Sequence, residues 1–519
     1  MTSRVRREAG ILLPLFSLRS DGDWGIGEIG ALPGLCTWLA AAGHRVLQLL
    51  PINEVSPGER SPYAALSAFA LDPLYLSVGA LEDFVAAGGE QALSEGDRAT
   101  LVRLRTRSGI DHRRVRILKR RALAIAFERF RESEVASGSA RAQAFERFRE
   151  QAADWLTEYA LFRALHEERG EASWRTWEPA LRDRDPAALA AAHVRRQDAS
   201  GFHAYVQWVA AEQWQAARRA ANAASVRLKG DLPFMVNQDS ADVWARQAEF
   251  SLDASLGAPP DAFNADGQDW GLPVCRWDVM ADNGFAWVRA RAARAAALFD
   301  AFRLDHVIGL YRMYVIAPDG TASFVPEDEA EQRALGERLL GVLREAANGT
   351  QVIGEDLGVV PEFVRESLAR LGIPGYRVLR WETKEGVFRD PVTYPPVSVA
   401  TSGTHDTSSL ATWWTEELDD ETRQALAAVP AFRALADATD EFTPAVHAAL
   451  LDGLYAAGSD LVVIPFPDAY GGRERINVPA TVGESNWSYR APFTVSELNG
   501  EPGAALRDQL RQLALRHGR

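Results

Sequence analysis

Cysteine is almost missing from this sequence: Cys36 and Cys275 are the only two in 519 residues. Lying far apart in the chain, they suggest no disulfide framework, which argues against a stapled secreted domain and fits a reducing compartment. Metal-ligand patterns are missing too. The 9 histidines include no His-x-x-x-His pair with a glutamate between, and there is no cysteine cluster, so no zinc site is expected. No apolar run approaches the length needed to span a bilayer. The basic N-terminus leads into only six apolar residues, ILLPLF, which contain Pro14 and precede charge without a small-residue cleavage site. That is not a secretory signal. Positive charge is in deficit: 57 Lys+Arg against 71 Asp+Glu leave a net charge of −14. A nucleic acid or an acidic membrane surface is therefore disfavoured as a partner, whereas a neutral ligand would be indifferent. Low-complexity linkers and appended modules are not visible. These absences lead to the expectation of a soluble, cytoplasmic protein.

What the chain does have is tryptophan, 15 of them. Most are expected to fill core, but an excess of aromatic faces leans toward a hydroxyl-rich ligand such as carbohydrate. It also has short Val/Ile/Leu-rich runs that end in polar residues or glycine, the pattern of buried parallel strands. Eight such runs begin at Ile11, Arg45, Ser225, Leu298, Gln351, Tyr376, Pro396 and Asp460. Helical stretches such as PGLCTWLAAAGH and PEFVRESLARLG separate most of them. Alternating strands and helices imply parallel pairing with right-handed crossovers. Eight units predict an α/β fold, a closed (β/α)8 TIM barrel with helical insertions. Residues 1–80 carry its first two strands, and residues 81–200 are too long for a crossover and read as a helical insertion subdomain. Residues 201–519 complete the barrel, with a second helix-rich excursion at 408–458. The basic run RRVRILKRR within the insertion reads as a solvated helix face.

Residues 25–30, GIGEIG, match a Gly-x-Gly-x-x-Gly turn between a strand and a helix. The match is weak, because the segment SLRSDGDW and the bulky Trp24 intervene where a phosphate-binding turn keeps its first glycine tight against the strand. A plain Gly-rich loop is the better reading, and no cofactor is expected.

In a barrel the reacting groups come from the C-terminal ends of strands. Three runs end in a carboxylate: Asp305 in FRLDHV, Glu355 in VIGEDLG and Asp406 in SGTHD. Each alone has an ordinary structural explanation, as a helix cap or a rim ion pair. Three at equivalent positions, two of them beside His306 and His405, are harder to explain that way. Cleaving a glycosidic bond with retention requires one carboxylate as nucleophile and another as acid and then base, ~5–5.5 Å apart. Arg303 lies two residues before Asp305 on the same face of its strand, so a cation stands beside that carboxylate.

At these motifs the sequence resembles the 4-alpha-glucanotransferases of glycoside hydrolase family 77, the amylomaltases and disproportionating enzymes. The resemblance runs from GILLPLFSLRSDGDWGIGEIGAL to RINVPATVGESNWSYR. It is specific at RSPYAALSAFALDPLY, GDLPFMVNQDSADVW, GAPPDAFNADGQDWGLP, FRLDHVIG, GEDLGVVPE and SGTHDTSSL. It implies Asp305 as nucleophile, Glu355 as acid/base and Asp406 as transition-state stabiliser. Arg303, His306 and His405 would stand beside them, Tyr63 would line the donor sugar pocket, and Asp239, Gln268, Trp270 and Asn477 would contact substrate. The family needs neither metal nor nucleotide, and its loop DWGIGEIG would lie near the sugar cleft. Some positions depart from the family pattern. Val307 and Ile308 stand where aromatic or arginine residues often follow the Asp-His pair, Cys275 and Arg276 replace a common tyrosine region, and Asn237 and Gln238 differ before Asp239. These departures leave the carboxylate trio intact and bear on the acceptor side. Residues 257–271, with Pro259 and Pro260, read as a stiff lid loop over that side. The resemblance implies transfer of α-1,4-glucan segments. A hydrolase using the same trio and a non-catalytic glucan-binding protein remain alternatives.

Overall fold

A computed structural model describes residues 7–260, 267–479, 481 and 483–519. Each of the eight apolar runs contributes one strand: β1 (Glu8–Leu12), β2 (Val46–Gln48), β3 (Arg227–Leu232), β4 (Ala301–Leu304), β5 (Gln351–Gly354), β6 (Gly375–Val378), β7 (Ser398–Thr401) and β8 (Leu461–Pro465). All pairings are parallel. Their order across the sheet is β6-β7-β8-β1-β2-β3-β4-β5, the chain order merely rotated. Between the two end strands the Gly354 N–H donates to the Pro374 carbonyl at 2.9 Å. The sheet is thus a nearly closed (β/α)8 barrel, as the alternating pattern predicts. Strands β4, β7 and β8 are buried at every residue, because helices cover the outside and side chains fill the inside. That is why they read as continuous apolar runs instead of alternating ones.

Between β2 and β3 the chain builds the helices His112–Phe130, Ala140–Gln151, Ala153–Glu168 and Gln197–Ala223. Rings of Phe130, Phe145 and Trp208 pack where they meet, with centroids 5.4–5.6 Å apart. The basic run 113–121 presents Arg113, Arg114, Arg120 and Arg121 as the solvated face expected of it, with one basic residue, Lys119, turned inward. Positions 112, 115, 119 and 122 share one helical stripe, and all four are buried. Lys119 on that stripe donates to the carbonyls of Leu74 and Leu76 at 2.7 Å each and pairs with Glu28 at 2.7 Å. Arg116 pairs with Asp72, Arg120 with Glu167 and Arg121 with Asp97.

Glu28 belongs to GIGEIG, and the pairing explains that motif. Gly25 has φ +84°, and a Cβ there would lie 2.8 Å from Leu104 Cβ. A Cβ at Gly27 would collide with the Leu15 carbonyl oxygen. The N–H groups of the turn already have acceptors: Trp24 donates to Glu28 at 3.2 Å, Gly25 to Asp23 at 2.8 Å and Gly27 to Phe16 at 2.8 Å. The glycines serve close packing against the helical segment. None of residues 24–30 lines the cavity described below, so the loop, which the resemblance puts near a sugar cleft, forms no part of that wall. Burial raises the pKa of Glu28, with Lys119 opposing, and burial lowers that of Lys119, with Glu28 opposing. Breaking the pair is therefore costly. Lys119→Met is expected to destabilise the fold by about 3–5 kcal/mol, read from denaturant unfolding. The double variant with Glu28→Gln should recover much of that loss. An unchanged midpoint in the single variant would show that the pair holds nothing together.

A second, antiparallel sheet stands at the barrel mouth. Its strands Gln268–Cys275, Phe250–Ala258, Met313–Ile316 and Ala322–Val325 neighbour one another in that order. The ends of segment 257–271, expected as loop, are strand residues in this sheet, whereas its centre, 261–266, lies outside the described residues. The excursion 408–458 contains the helices Asp420–Ala427 and Pro444–Tyr455. Among the tryptophans, Trp24, Trp38, Trp214, Trp244, Trp287 and Trp414 are fully buried and fill core. Trp270 and Trp381 face the cavity instead. Among the described residues no helix is long and apolar enough to cross a membrane.

Candidate active site

The ladder of β3, β4 and β5 runs one residue past the strands. Asp305 N–H donates to Leu232 O and Glu355 N–H to Leu304 O, both at 3.0 Å. This sets both acids at one level on the C-terminal rim of the barrel. A cavity of about 520 Å³ opens there. Its lining includes Asp305, Glu355, Asp406, Tyr63, Gln268, Trp270, Arg303, His306 and His405. Asn477 joins the group by donating from Nδ2 to Asp406 Oδ1 at 2.7 Å. Asp239 does not line the cavity; its carboxylate accepts from Ser173, and its N–H donates to Asn237 Oδ1 at 2.8 Å.

Arg303 organises the floor. Its Nη1 contacts Asp305 at 2.7 Å and both Asp231 oxygens at 2.8 Å, and its Nη2 lies 3.6 Å from Glu355. Three carboxylates thus crowd one guanidinium, and Asp305 and Glu355 lie within the span of that single group. Burial alone would lower the Arg303 pKa, but Asp231 and Asp305 carry it well above its usual value. Burial raises Asp231 against the pull of Arg303. Glu355 is pushed up to about 8, first by burial; Arg303 opposes this, Asp305 adds to it, and N–H groups of His306 and Leu357 oppose it. It therefore carries a proton at neutral pH.

His306 sits in the left-handed region at φ +45°. That strained conformation turns its N–H onto Glu355 Oε2 at 2.8 Å. Burial lowers its imidazole pKa to about 4, so the ring is neutral and can both donate and accept. Trp270 stands edge-on to it at 4.9 Å and donates from Nε1 to Gln268 at 3.1 Å. On the other side Tyr63 stacks on His405 at 5.2 Å and donates to Asp231 at 2.8 Å. His405 Nε2 lies 3.4 Å from Asp406.

Asp231 is the residue that the sequence reading missed. It is the penultimate residue of β3, level with Arg303 of β4, and LKGDLP carries a strand-end signal like those before Asp305 and Glu355. Beneath it on β3, Lys229 is fully buried and donates to Tyr376 at 2.8 Å. Burial, with Arg303 adding, lowers its pKa to about 7. Among the described residues no group of three or more His, Cys, Asp or Glu side chains is placed to hold a metal ion.

A parallel barrel whose strand ends bring carboxylates, neutral histidine and aromatic rings to one cavity belongs to the class of carbohydrate-active (β/α)8 enzymes. The 4-alpha-glucanotransferase family model, glycoside hydrolase family 77, matches residues 13–495. A 4-alpha-glucanotransferase of Thermus thermophilus is 34% identical over 519 residues, covering 96% of this chain and 97% of its own length. One of Chlamydia caviae is 32% identical over 509 residues, covering 96% and 93%. The structure of a Streptococcus agalactiae amylomaltase in complex with acarbose superposes with a TM-score of 0.83 at 25% identity, over 99% of this chain and all of that one. The chain belongs to the 4-alpha-glucanotransferase family and is an enzyme of that type, a transferase. This does not favour the hydrolase reading, and it sets aside the non-catalytic one.

Proposed function

We propose that the enzyme moves a segment of an α-1,4-glucan to a glucose or glucan acceptor by double displacement. Asp305 attacks the anomeric carbon while Glu355 gives its proton to the departing glycosidic oxygen, forming a glycosyl ester on Asp305. Glu355, now a carboxylate, takes the proton of the acceptor hydroxyl as that oxygen displaces the ester. Asp406, held by Asn477, grips sugar hydroxyls as positive charge develops at the ring. Arg303 fixes the nucleophile; His306, whose ring is neutral, and His405 beside Asp406 offer hydrogen bonds to the same sugar. The observation that carries this reading is the contrast around Arg303: Asp305 lies 2.7 Å from the guanidinium, whereas buried Glu355 stands off at 3.6 Å. Maltooligosaccharides are the proposed donors. A cytoplasmic location is part of the proposal, supported by two free, buried thiols. So is the division of the chain into barrel parts 1–80 and 201–519 around the insertion 81–200.

Transfer competes with water, which is far more concentrated than any acceptor. It wins only if an acceptor is bound and oriented in a pocket that excludes water. In this reading Trp270, packed on His306 beside Gln268, holds that acceptor. With maltotriose as sole substrate the enzyme is expected to give products both longer and shorter than maltotriose. Trp270→Ala should lower acceptor capture by about tenfold or more, as losing a stacking face does elsewhere, and raise the ratio of hydrolysis to transfer. If the wild type forms only shorter products, the transferase proposal fails. If the variant loses both activities equally, Trp270 serves the donor side or the fold.

A further inference from the structure

The departures at Val307 and Ile308 leave the two positions after the Asp305–His306 pair without a polar side chain. Val307 is fully buried, and Ile308 presents only alkyl surface to the cavity. Four residues beyond Ile308 the chain supplies a cation. The turn Val307–Leu310 closes with Arg312 N–H donating to Ile308 O at 2.9 Å, and the strand Met313–Ile316 begins at the next residue. This directs the Arg312 side chain to the cavity, which Tyr314 and Phe324 also line. Its guanidinium carbon lies 3.9 Å from the centroid of the Phe324 ring, and Phe324 pairs across the hairpin with Tyr314 at 5.3 Å. The cation is therefore held flat on an aromatic face. Its Nε is buried without a hydrogen bond, and the side chain makes no ion pair or hydrogen bond among the described residues. A buried donor left unpaired costs free energy, so the site is complete only when an acceptor arrives.

Its place in the ring says which part of a glucan that is. In an eight-strand ring β4 stands opposite β8, and β3 opposite β7. Tyr63, His405 and Asp406 gather on the β7 side, whereas Arg312 lies on the β4 side, next to the strand that carries Glu355. The acid protonates the oxygen joining the transferred sugar to the part that leaves, so the wall beyond Glu355 faces the leaving and accepting chain. Arg312 touches neither Asp305 nor Glu355, which puts its contact at least one sugar away from the reacting bond.

We propose that Arg312 is a specificity-determining residue: its guanidinium, clamped on Phe324, donates to hydroxyls of the second or a later acceptor sugar and makes the enzyme favour oligosaccharide over glucose as acceptor. This rests on the transferase reading above. The test is the acceptor KM for glucose and for maltotriose, measured with α-maltosyl fluoride as donor, in wild type, Arg312→Met and Arg312→Lys. Methionine keeps an apolar stem over Phe324 and removes every donor. It should raise the maltotriose KM about 10- to 100-fold, the worth of hydrogen bonds to a charged group, and move the glucose KM by less than about threefold. Lysine, a point charge without the planar fork, should recover only part of the preference. Equal changes for both acceptors, or a methionine variant indistinguishable from wild type, would overturn the proposal, because Arg312 would then only support the hairpin. The anomeric form of the wild-type product reads the covalent step separately. An inverted, β-linked product would sink the double displacement and a retained α-linked one supports it, while the ratio of acceptor KM values decides the role of Arg312 in either case.

Discussion

Glu355→Gln is expected to lose transfer from maltooligosaccharides by about 10²–10⁴-fold, the usual worth of a positioned acid/base, while still reacting once with α-maltosyl fluoride. Fluoride leaves without a proton, so the first displacement on Asp305 survives. The second stalls, because no base remains to take the acceptor's proton. One equivalent of fluoride per active site and a glycosyl adduct on the peptide containing Asp305, both read after rapid quenching, are the expected signatures. The same residue is expected to set the alkaline limit of the wild type. Burial lifts Glu355 from 4.5 to about 8, so kcat/KM with maltotriose should fall as pH rises through about 8 and the acid loses its proton. In the glutamine variant with the fluoride donor that limb should vanish. The effect on stability has the opposite slope to that of a salt-bridged carboxylate. Between 4.5 and about 8 the folded state holds a proton that the unfolded chain releases. Glu355 thus favours folding at low pH, and its contribution drains away as pH rises through that window. Glutamine should flatten the slope. A loss below tenfold, or an alkaline limb unmoved by the substitution, would remove Glu355 from the acid/base role.

Much of this site was legible because barrel geometry compresses it into a simple sequence signal. An apolar run that ends in an acid is a strand delivering a carboxylate to the rim, and Asp305 and Glu355 carried that signal without any alignment. Asp231 carried it equally, yet its side chain turns into Arg303 and Tyr63 instead of lining the cavity. A linear pattern marks the strand end and not the partner across the ring. Lys119 shows the same limit from the other side. Five arginines in its run made it look solvated throughout, but helical periodicity set the one lysine inward, where Glu28 neutralises it. The hairpin Phe250–Ala258 with Gln268–Cys275 was hidden by composition. Its prolines and glycines advertise a loop, although FSLDASL alternates with the period of a strand exposed on one face. Asp239 sits only three residues past buried Val236 but takes its partner, Ser173, from the helical stretch between β2 and β3. Contacts between an insertion and a barrel depend on packing that no local pattern encodes.

Asp305→Ala should be the most damaging single change to activity and among the mildest to the fold. Without the nucleophile no glycosyl ester forms, and losses of about 10⁴–10⁶-fold are expected, the scale seen when other enzymes lose a covalent nucleophile. Stability should hold or rise. Arg303 keeps both hydrogen bonds to Asp231, and removing Asp305 relieves the repulsion that helps to raise Glu355. Crowding three carboxylates on one guanidinium is a strain that the site keeps for chemistry. The decisive measurement is rescue by azide with α-maltosyl fluoride. In Asp305→Ala a small anion entering the vacated space attacks the face that Asp305 would have used, a single displacement that inverts the anomeric centre and gives the β-azide. In Glu355→Gln azide instead attacks the ester already formed on Asp305, from the opposite face, and two inversions give the α-azide. Opposite anomers from the two variants would assign nucleophile and acid/base by stereochemistry alone. The same anomer from both, or retention of more than about a hundredth of wild-type transfer by Asp305→Ala, would mean that the covalent bond forms elsewhere in the cavity.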